Sequence, residues 1–444
     1  MNLETIKATL TEHGIRHVKL GVFDVDGVLR GKYVSLEKFM SAAEGGMGFC
    51  DVIFGWDSSD MLLDNVTLTG WHTGYPDARA KVDLSTFRVV PWEPDTALFL
   101  LDLDLPVAPR QVLRRVEEKA GTMGFRPYLS AEYEFFFFRE TPQTARQKHY
   151  RDMTPLSPGM FGYSVLRAST HAEFIHHILD SLRAFDVELE SLHTETGPGV
   201  YEAAIRYDTV GRAADKAALF KTAVKEMAAR HGLMATFMAK WNARLPGSSG
   251  HLHQSLWDRE GQKNLFYDPS CPQAISSPMR HYLAGQLQVM PEVMAVICPT
   301  VNSYKRIVPG TWAPTNVSWG VDNRTTALRA IPSGAQSARL EYRLAGADGN
   351  PHLTMAAALA TGLYGIEHKL EPPPPVSASA YEGNLPPLPR TLAEATERLK
   401  QSRAARECLG DAFVDHFVAT REWEVRQFNA SVGDWELERY FEII

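Results

Sequence analysis

Hydrophobic and polar positions alternate in HVKLGVF (17–23), where Val18, Leu20 and Val22 share one face. Period two marks a strand, and the DVDG cluster that follows is turn-forming. Two strands joined by a tight turn are therefore predicted across residues 17–34. The opening MNLETIKATLTEHG reads as a short amphipathic helix, residues 35–44 as a second helix, and the chain from there to about 85 as irregular. TALFLLDLDL (96–105) is strand-like. PVAPRQVLRRVEEKAG (106–121) carries Pro109 early and Gly121 late, as helix ends prefer. The domain boundary is set there, giving units 1–105 and 106–444. Beyond it, strands alternate with helices predicted at about 170–185, 211–231, 351–369 and 391–430. EPPPP (371–375) and LPPLPR (385–390) read as extended connectors.

A chain of 444 residues is long enough for a large core and two domains. The net charge is −7 and the basic residues are scattered, so nucleic acid is not an expected partner. No apolar run approaches the ~18 residues of a membrane span, and the N-terminus lacks the apolar stretch of a signal peptide. Cys50, Cys271, Cys298 and Cys408 lie far apart with no paired metal spacing. A reduced, cytoplasmic protein is expected.

FDVDG also matches the signature of aspartate-nucleophile phosphatases, and GDAFVD (410–415) matches their second, metal-binding element. Two physical objections apply. A nucleophile of that kind ends a parallel strand buried on both faces, which calls for a continuous apolar run. HVKLGVF alternates instead, as in an antiparallel hairpin with one buried face. Asp411 and Asp415 sit in RECLGDAFVDHFVATREWEV, a helical pattern with no strand before it. Asp24 is read as a turn residue.

The chemistry is expected from carboxylates elsewhere. In YLSAEYEFFFF (128–138), Glu132 and Glu134 share a strand face. Either that face is solvated, or the pair is buried and needs a cation or a proton. VELESLHTETGPGVYEAAIRYD (187–208) folds Glu195 and Glu202 together about a Gly-Pro-Gly turn, as a polar hairpin or as two ligands of one site. GSSGHLHQSLWD (247–258) puts His251 and His253 on one face, where core histidines and metal or phosphate contacts are both open readings. SARLEYRLAG (337–346) aligns Arg339, Glu341 and Arg343, either as a self-neutralising ladder or as a ligand flanked by cations. Arg306, Arg324 and Arg329 add forked donors suited to carboxylate and phosphate oxygens. Oxygen donors with one imidazole favour Mg²⁺ or Mn²⁺ over zinc. Metal plus arginine is equipment for phosphoryl transfer from a nucleotide, although no phosphate-binding Gly-Lys-Ser/Thr loop is present.

Taken in order, the acid-aromatic-acid strand, the Gly-Pro-Gly turn, GSSGHLHQSL, NSYKRIVPG, NR…LR, RLEYR and the closing WELERYFEII resemble the glutamine synthetase superfamily over essentially the whole chain. The resemblance is strongest to its γ-glutamyl amine (mono- or polyamine) ligase branch. It implies an α+β protein, with an N-terminal β-grasp domain and a catalytic domain of curved antiparallel sheet wrapped by helices. It implies homo-oligomers, hexameric rings or dodecamers, with sites at subunit interfaces. One metal would take Glu134, Glu195 and Glu202, and another Glu132, His251 and Glu341, with two or three Mg²⁺ or Mn²⁺ ions per site. Gly247, Arg306 and Arg343 would hold L-glutamate. Arg324 would face the reacting carboxylate and phosphate, and Glu190, Tyr207, His253, Ser255, Arg329 and Arg339 would meet ATP. The implied reaction passes through γ-glutamyl phosphate, which an amine then attacks.

The chain departs from the family pattern at Trp312, in PGTWAPT, where glutamine synthetases present a glutamate to ammonium. An indole cannot act as a base, but it offers apolar surface and a cation-attracting face. Val200, Pro246 and Gln336 replace the family's glutamine, asparagine and lysine. The ammonium-site aspartate of the neighbouring subunit is matched by Asp51, with Asp57 the alternative. The expected function is ATP-dependent ligation of the γ-carboxyl of L-glutamate to an organic amine, a bulky or aromatic monoamine. The alternatives are glutamine synthetase proper and an inactive structural homologue.

Overall fold

The structure is a computed structural model that describes residues 2–444. A first sheet has the order β2-β1-β5-β4-β3, from β1 (His17–Phe23), β2 (Leu29–Val34), β3 (Met47–Cys50), β4 (Asp77–Val89) and β5 (Thr96–Leu103). Helix Leu36–Gly45 contributes Phe39 and Ala42 to its core, and Phe39 stacks on Phe99 of β5 at 4.5 Å. The predicted hairpin is present, with β1 antiparallel to β2. The single buried face is corrected: β1 also runs parallel to β5, and Gly21, Val22 and Phe23 are all buried. The cause lies at the hairpin tip, which is covered by the larger unit. Asn350 donates to the carbonyls of Asp24 and Val25 at 2.9 and 3.1 Å.

Asp24 holds the tip together, as a turn residue should. Its carboxylate accepts from the Val28 amide at 2.9 Å and pairs with Arg30 at 2.8 Å. Asp411 and Asp415 both pair with Arg406 on an exposed helix start, so GDAFVD is not a metal element. The expectation of irregular chain before residue 85 fails at β3 and at the long β4. In β4, half-exposed charged and small residues blur the alternation.

The second sheet follows β12-β13-β14-β11-β6-β8-β7, with β9 and β10 pairing β6. Its strands are β6 (Arg126–Phe138), β7 (Leu189–Thr194), β8 (Val200–Ile205), β9 (Asp208–Thr209), β10 (Met234–Thr236), β11 (Gly250–Trp257), β12 (Trp319–Val321), β13 (Leu328–Ile331) and β14 (Arg339–Tyr342). The expected boundary at 105/106 falls between β5 and helix Pro109–Thr122. Leu129, Ala131, Tyr133 and Phe135 of β6 are buried on the core side. There Tyr133 and Phe135 meet Phe220 of helix Val210–Arg230. The opposite face of β6 is free to carry polar groups.

Helix Ser277–Ile297, which the sequence reading did not pick out, is buried over most of its length and packs on helix Pro351–Glu367. The two backbones touch through glycines: a Cβ on Gly285 would lie 2.3 Å from the Thr361 carbonyl. The single helix expected over 391–430 is three, Leu392–Gln401, Arg403–Leu409 and Asp411–Ala430. It is broken at the capping Ser402 and at Gly410, whose φ of +88° an L side chain rarely adopts.

Candidate active site

Strand register brings the carboxylates together. Across β6 and β11, Glu132 stands opposite His251; across β11 and β14, His253 stands opposite Glu341. Arg329 of β13 faces Glu341, and Glu134 faces Glu202 of β8. Facing pairs on adjacent strands have side chains within reach of each other. Side chains from five strands thus meet on one face of one sheet.

Glu341 is 1% exposed and clamped by cations, with Arg329 Nη1 on Oε2 at 2.9 Å and Arg343 Nη1 on Oε1. Burial alone would raise its pKa, but the charges of His251, Arg343, His253 and Arg329 outweigh it and hold the carboxyl down at about 2. Glu132 behaves alike: attraction from His251 and His253 overcomes burial and keeps it far below the usual carboxylate range.

The two histidines have different tasks. Arg339 Nε donates to His253 Nδ1 at 3.1 Å, so the neutral ring carries its proton on Nε2, which faces Glu132 at 3.2 Å. Ligand atoms of Glu132, His253 and Glu341 lie within 4.8 Å of one another, yet a ring nitrogen that carries the proton is a poor metal ligand. His251 Nδ1 sits 3.9 Å from Glu132 and 3.6 Å from Glu341. The set Glu132, His251 and Glu341 therefore suits a divalent cation better.

Glu134 is the complementary case. Burial raises its pKa and Glu202 adds repulsion, against attraction from His251 and the Ser249 amide. That amide donates to Glu134 Oε2 at 2.7 Å. Glu202 also meets His193 Nε2 at 3.2 Å. Half-buried carboxylates that face each other repel, and such a pair fits an Mg²⁺- or Mn²⁺-like dication. Glu195 precedes the turn, its Oε1 accepting from the Thr196 amide at 2.8 Å. The turn needs its glycine: Gly199 has φ +72°, and a Cβ there would lie 2.6 Å from the Phe137 carbonyl.

A cleft of about 290 Å³ opens beside Glu132 and includes Glu190, Tyr207, His253, Ser255 and Arg339 among its walls. Tyr128 and Trp257, which sequence reasoning missed, line its other end. Tyr128 stands edge-on to Tyr207 at 6.0 Å and to Trp257 at 5.7 Å. Arg329 is engaged with Glu341 and does not line this cleft.

Arg306 is buried and donates to the Leu344 carbonyl, leaving its Nε without a partner. It lies against Gly247, where a Cβ would come within 2.4 Å of its Cγ. Arg343 Nε donates to the Arg324 carbonyl at 3.1 Å. The Arg324 side chain is exposed and makes no ion pair among the described residues. Trp312 is 67% exposed at φ +62°, a backbone conformation strained for a bulky residue. Asp51 is not brought to this cluster within one chain. It is buried beside the first sheet, accepting from the Thr69 hydroxyl at 2.6 Å. Asp57 accepts from the amides of Ser59 and Met61. Sequence reasoning also missed His193 and Tyr163, whose rings stack at 4.4 Å above Glu202. Neither lies in a motif with its own periodicity.

The family model described as the glutamine synthetase catalytic domain matches residues 106–440. The chain belongs to the glutamine synthetase family. It is an ATP-dependent glutamate–amine ligase, and it falls on the γ-glutamyl amine ligase branch. A type-1 glutamine synthetase 2 of Dictyostelium discoideum is 50% identical, over 96% of this chain and 84% of that protein. A glutamate–isopropylamine ligase of a Pseudomonas species is 40% identical, covering 99% and 98%. A γ-glutamylethanolamide synthetase of Streptomyces coelicolor is 37% identical, covering 100% and 96%. The solved ADP complex of GmaS has TM-score 0.86 at 27% identity, covering 98% of this chain and 99% of that one. No helix among the described residues is long and apolar enough to cross a membrane.

Proposed function

We propose that the enzyme joins the γ-carboxyl of L-glutamate to an organic amine, a bulky or aromatic monoamine, with ATP consumed through γ-glutamyl phosphate. The observation that carries this reading is Trp312, an exposed indole at the position where ammonia-using relatives present an acid. The names of the isopropylamine and ethanolamide relatives support it.

In this reading the aromatic end of the cleft, at Tyr128, Tyr207 and Trp257, receives the base of ATP. Its phosphates point toward His253 and Arg339. Arg306 and Arg343, with the Gly247 backbone, hold glutamate, and Arg324 faces the carboxylate that reacts. Two sets of residues, Glu132–His251–Glu341 and Glu134–Glu195–Glu202, hold Mg²⁺ or Mn²⁺, which when bound offsets the negative charge of the meeting anions. A γ-carboxylate oxygen attacks the γ-phosphorus as the bond to ADP breaks. The amine nitrogen then attacks the acyl carbon, the carbon–oxygen bond breaks, and phosphate leaves while the nitrogen loses a proton. The arginines hold both anions in line, the part of phosphoryl transfer that a protein chiefly supplies.

Two features support a homo-oligomer, a hexameric ring or a dodecamer. The end of the chain exposes Trp435, Phe441, Ile443 and Ile444, apolar side chains that a neighbouring subunit would cover. Asp51, the match to the amine-site acid, follows the last residue of β3 beside the first sheet and would serve a neighbour's site. The four free cysteines suit the cytoplasm.

The second reading is glutamine synthetase proper, favoured by the 50% identical Dictyostelium protein. Glutamate-dependent phosphate release with a panel of amines separates the two. Bulky monoamines should outrun ammonium by tenfold or more in kcat/KM. Ammonium as the best substrate would reject the first reading.

A further inference from the structure

Away from the carboxylate cluster, helix Val210–Arg230 presents Lys221 and Lys225 one turn apart to a cavity of about 400 Å³. The cavity lies between that helix, the first-sheet hairpin tip at Gly27–Leu29, and Thr236–Met238. Lys221 is half-buried inside and Lys225 stands at the mouth. Their ammonium groups both lie 5.7 Å from the Phe237 ring, and Lys221 is equally distant from the Tyr133 ring. The only hydrogen bond Lys221 makes among the described residues is to the Gly349 carbonyl, at 3.0 Å. Neither lysine has a carboxylate within 4.0 Å among the described residues.

Carboxylates line the same cavity, yet each makes its short contacts elsewhere, and Asp348 keeps its buried Oδ1 without a partner. Asp26 pairs with Arg421 at 2.7 Å. Glu226 accepts from Trp92 at 2.7 Å and faces Lys19 at 3.6 Å. Asp348 accepts from the hydroxyls of Thr300 and Ser303. Two cations one helical turn apart repel each other, and removing an ammonium from water without a counter-charge is unfavourable. Burial, with Lys225 adding repulsion against attraction from Asp348, pushes Lys221 down to about 7. The pair thus has the arrangement of an anion cradle: two donors at one space, aromatic rings beside them, and Thr222 of the same helix also lining the cavity.

We propose that this cavity binds a small oxyanion of two or more negative charges, a phosphate or a short dicarboxylate, held between Lys221 and Lys225. The anion bridges the N-terminal hairpin tip to the helix behind β6. Tyr133, beneath Lys221, is the residue between Glu132 and Glu134, so occupancy bears on the strand that carries the carboxylate cluster.

Calorimetric titration of the assembled enzyme with inorganic phosphate, and separately with succinate, tests the site. Wild type should bind at least one of them, and which one identifies the source of the anion. Lys225→Glu should weaken that binding at least tenfold, and Lys225→Ala by less, with turnover in anion-free buffer unchanged. Lys221→Met should remove the binding as well. Its unfolding temperature serves as the check on folding, and the Lys225 variants stand without it. Phosphate bound in the carboxylate cleft instead would survive Lys225→Glu undiminished, and that result overturns the proposal. So does a wild-type enzyme that binds neither anion.

Discussion

Replacing Glu134 by Gln separates the metal-binding reading from a merely structural one, because the two forms of the protein should respond in opposite directions. Without metal, ionised Glu134 opposes folding. Burial and the facing Glu202 raise its pKa above the ordinary value. A group raised in this way stabilises the fold only when protonated, so its ionised form costs stability that grows as pH rises past the usual carboxylate range. Every tenfold weakening of the acid corresponds to about 1.4 kcal/mol. Gln keeps an oxygen for the Ser249 amide and carries no charge. For 444 residues, unfolding entropy at ~2.1 cal/mol/K per residue is about 0.9 kcal/mol/K. Metal-free Glu134→Gln should therefore melt above wild type at pH 8 and level with it in acid. With Mg²⁺ at a hundred times its Kd, one filled site adds about 2.7 kcal/mol, a rise of about 3 °C in wild type. The variant should lose most of that rise. Differential scanning calorimetry with EDTA and with Mg²⁺ reads both effects. Equal Mg²⁺ stabilisation of the two proteins, or a metal-free variant that melts below wild type, would refute the reasoning.

Three further outcomes are expected. Trp312→Glu should shift preference toward ammonium and away from bulky amines by about tenfold in relative kcat/KM, and an unchanged ranking would remove the indole from specificity. Glu341 is depressed from 4.5 to about 2, so in metal-free protein its ion pairs contribute about 3 kcal/mol at neutral pH; that contribution is lost as pH falls from about 4.5 through 2, and acid unfolding of Glu341→Gln should lack this component. Tyr207→Ala should raise the KM for ATP about fivefold to tenfold, the size of one lost stacking contact, with the KM for glutamate unmoved.

How much of this was legible in the sequence differs from element to element. The shared face of Glu132 and Glu134 followed from period-two geometry, and the return of Glu202 from the Gly-Pro-Gly turn. Their convergence with His251 and Glu341 depends on the strand order β14-β11-β6-β8, which no local pattern contains; the resemblance supplied it. Helix Ser277–Ile297 was illegible for the opposite reason, since a helix buried on nearly every side has no polar face to set its period. The breaks at Ser402 and Gly410 were written in the chain as a cap and a left-handed glycine, but the apolar rhythm runs through both. Tyr163 and His193 stack across a loop and a strand, a contact made only when the loop folds back. Asp51 was predicted from the resemblance for a neighbour's site, and within its own chain it accepts from Thr69.

The central claim is that carboxylates from three distant segments, with His251 from a fourth, hold divalent cations between nucleotide and amino acid. Anomalous diffraction from crystals grown with Mn²⁺, ATP analogue and glutamate tests it most directly. The account predicts manganese peaks bounded by Glu132, His251 and Glu341 and by Glu134, Glu195 and Glu202. Peaks confined to other acidic groups, such as the exposed Glu367, His368 and Glu407, would contradict it.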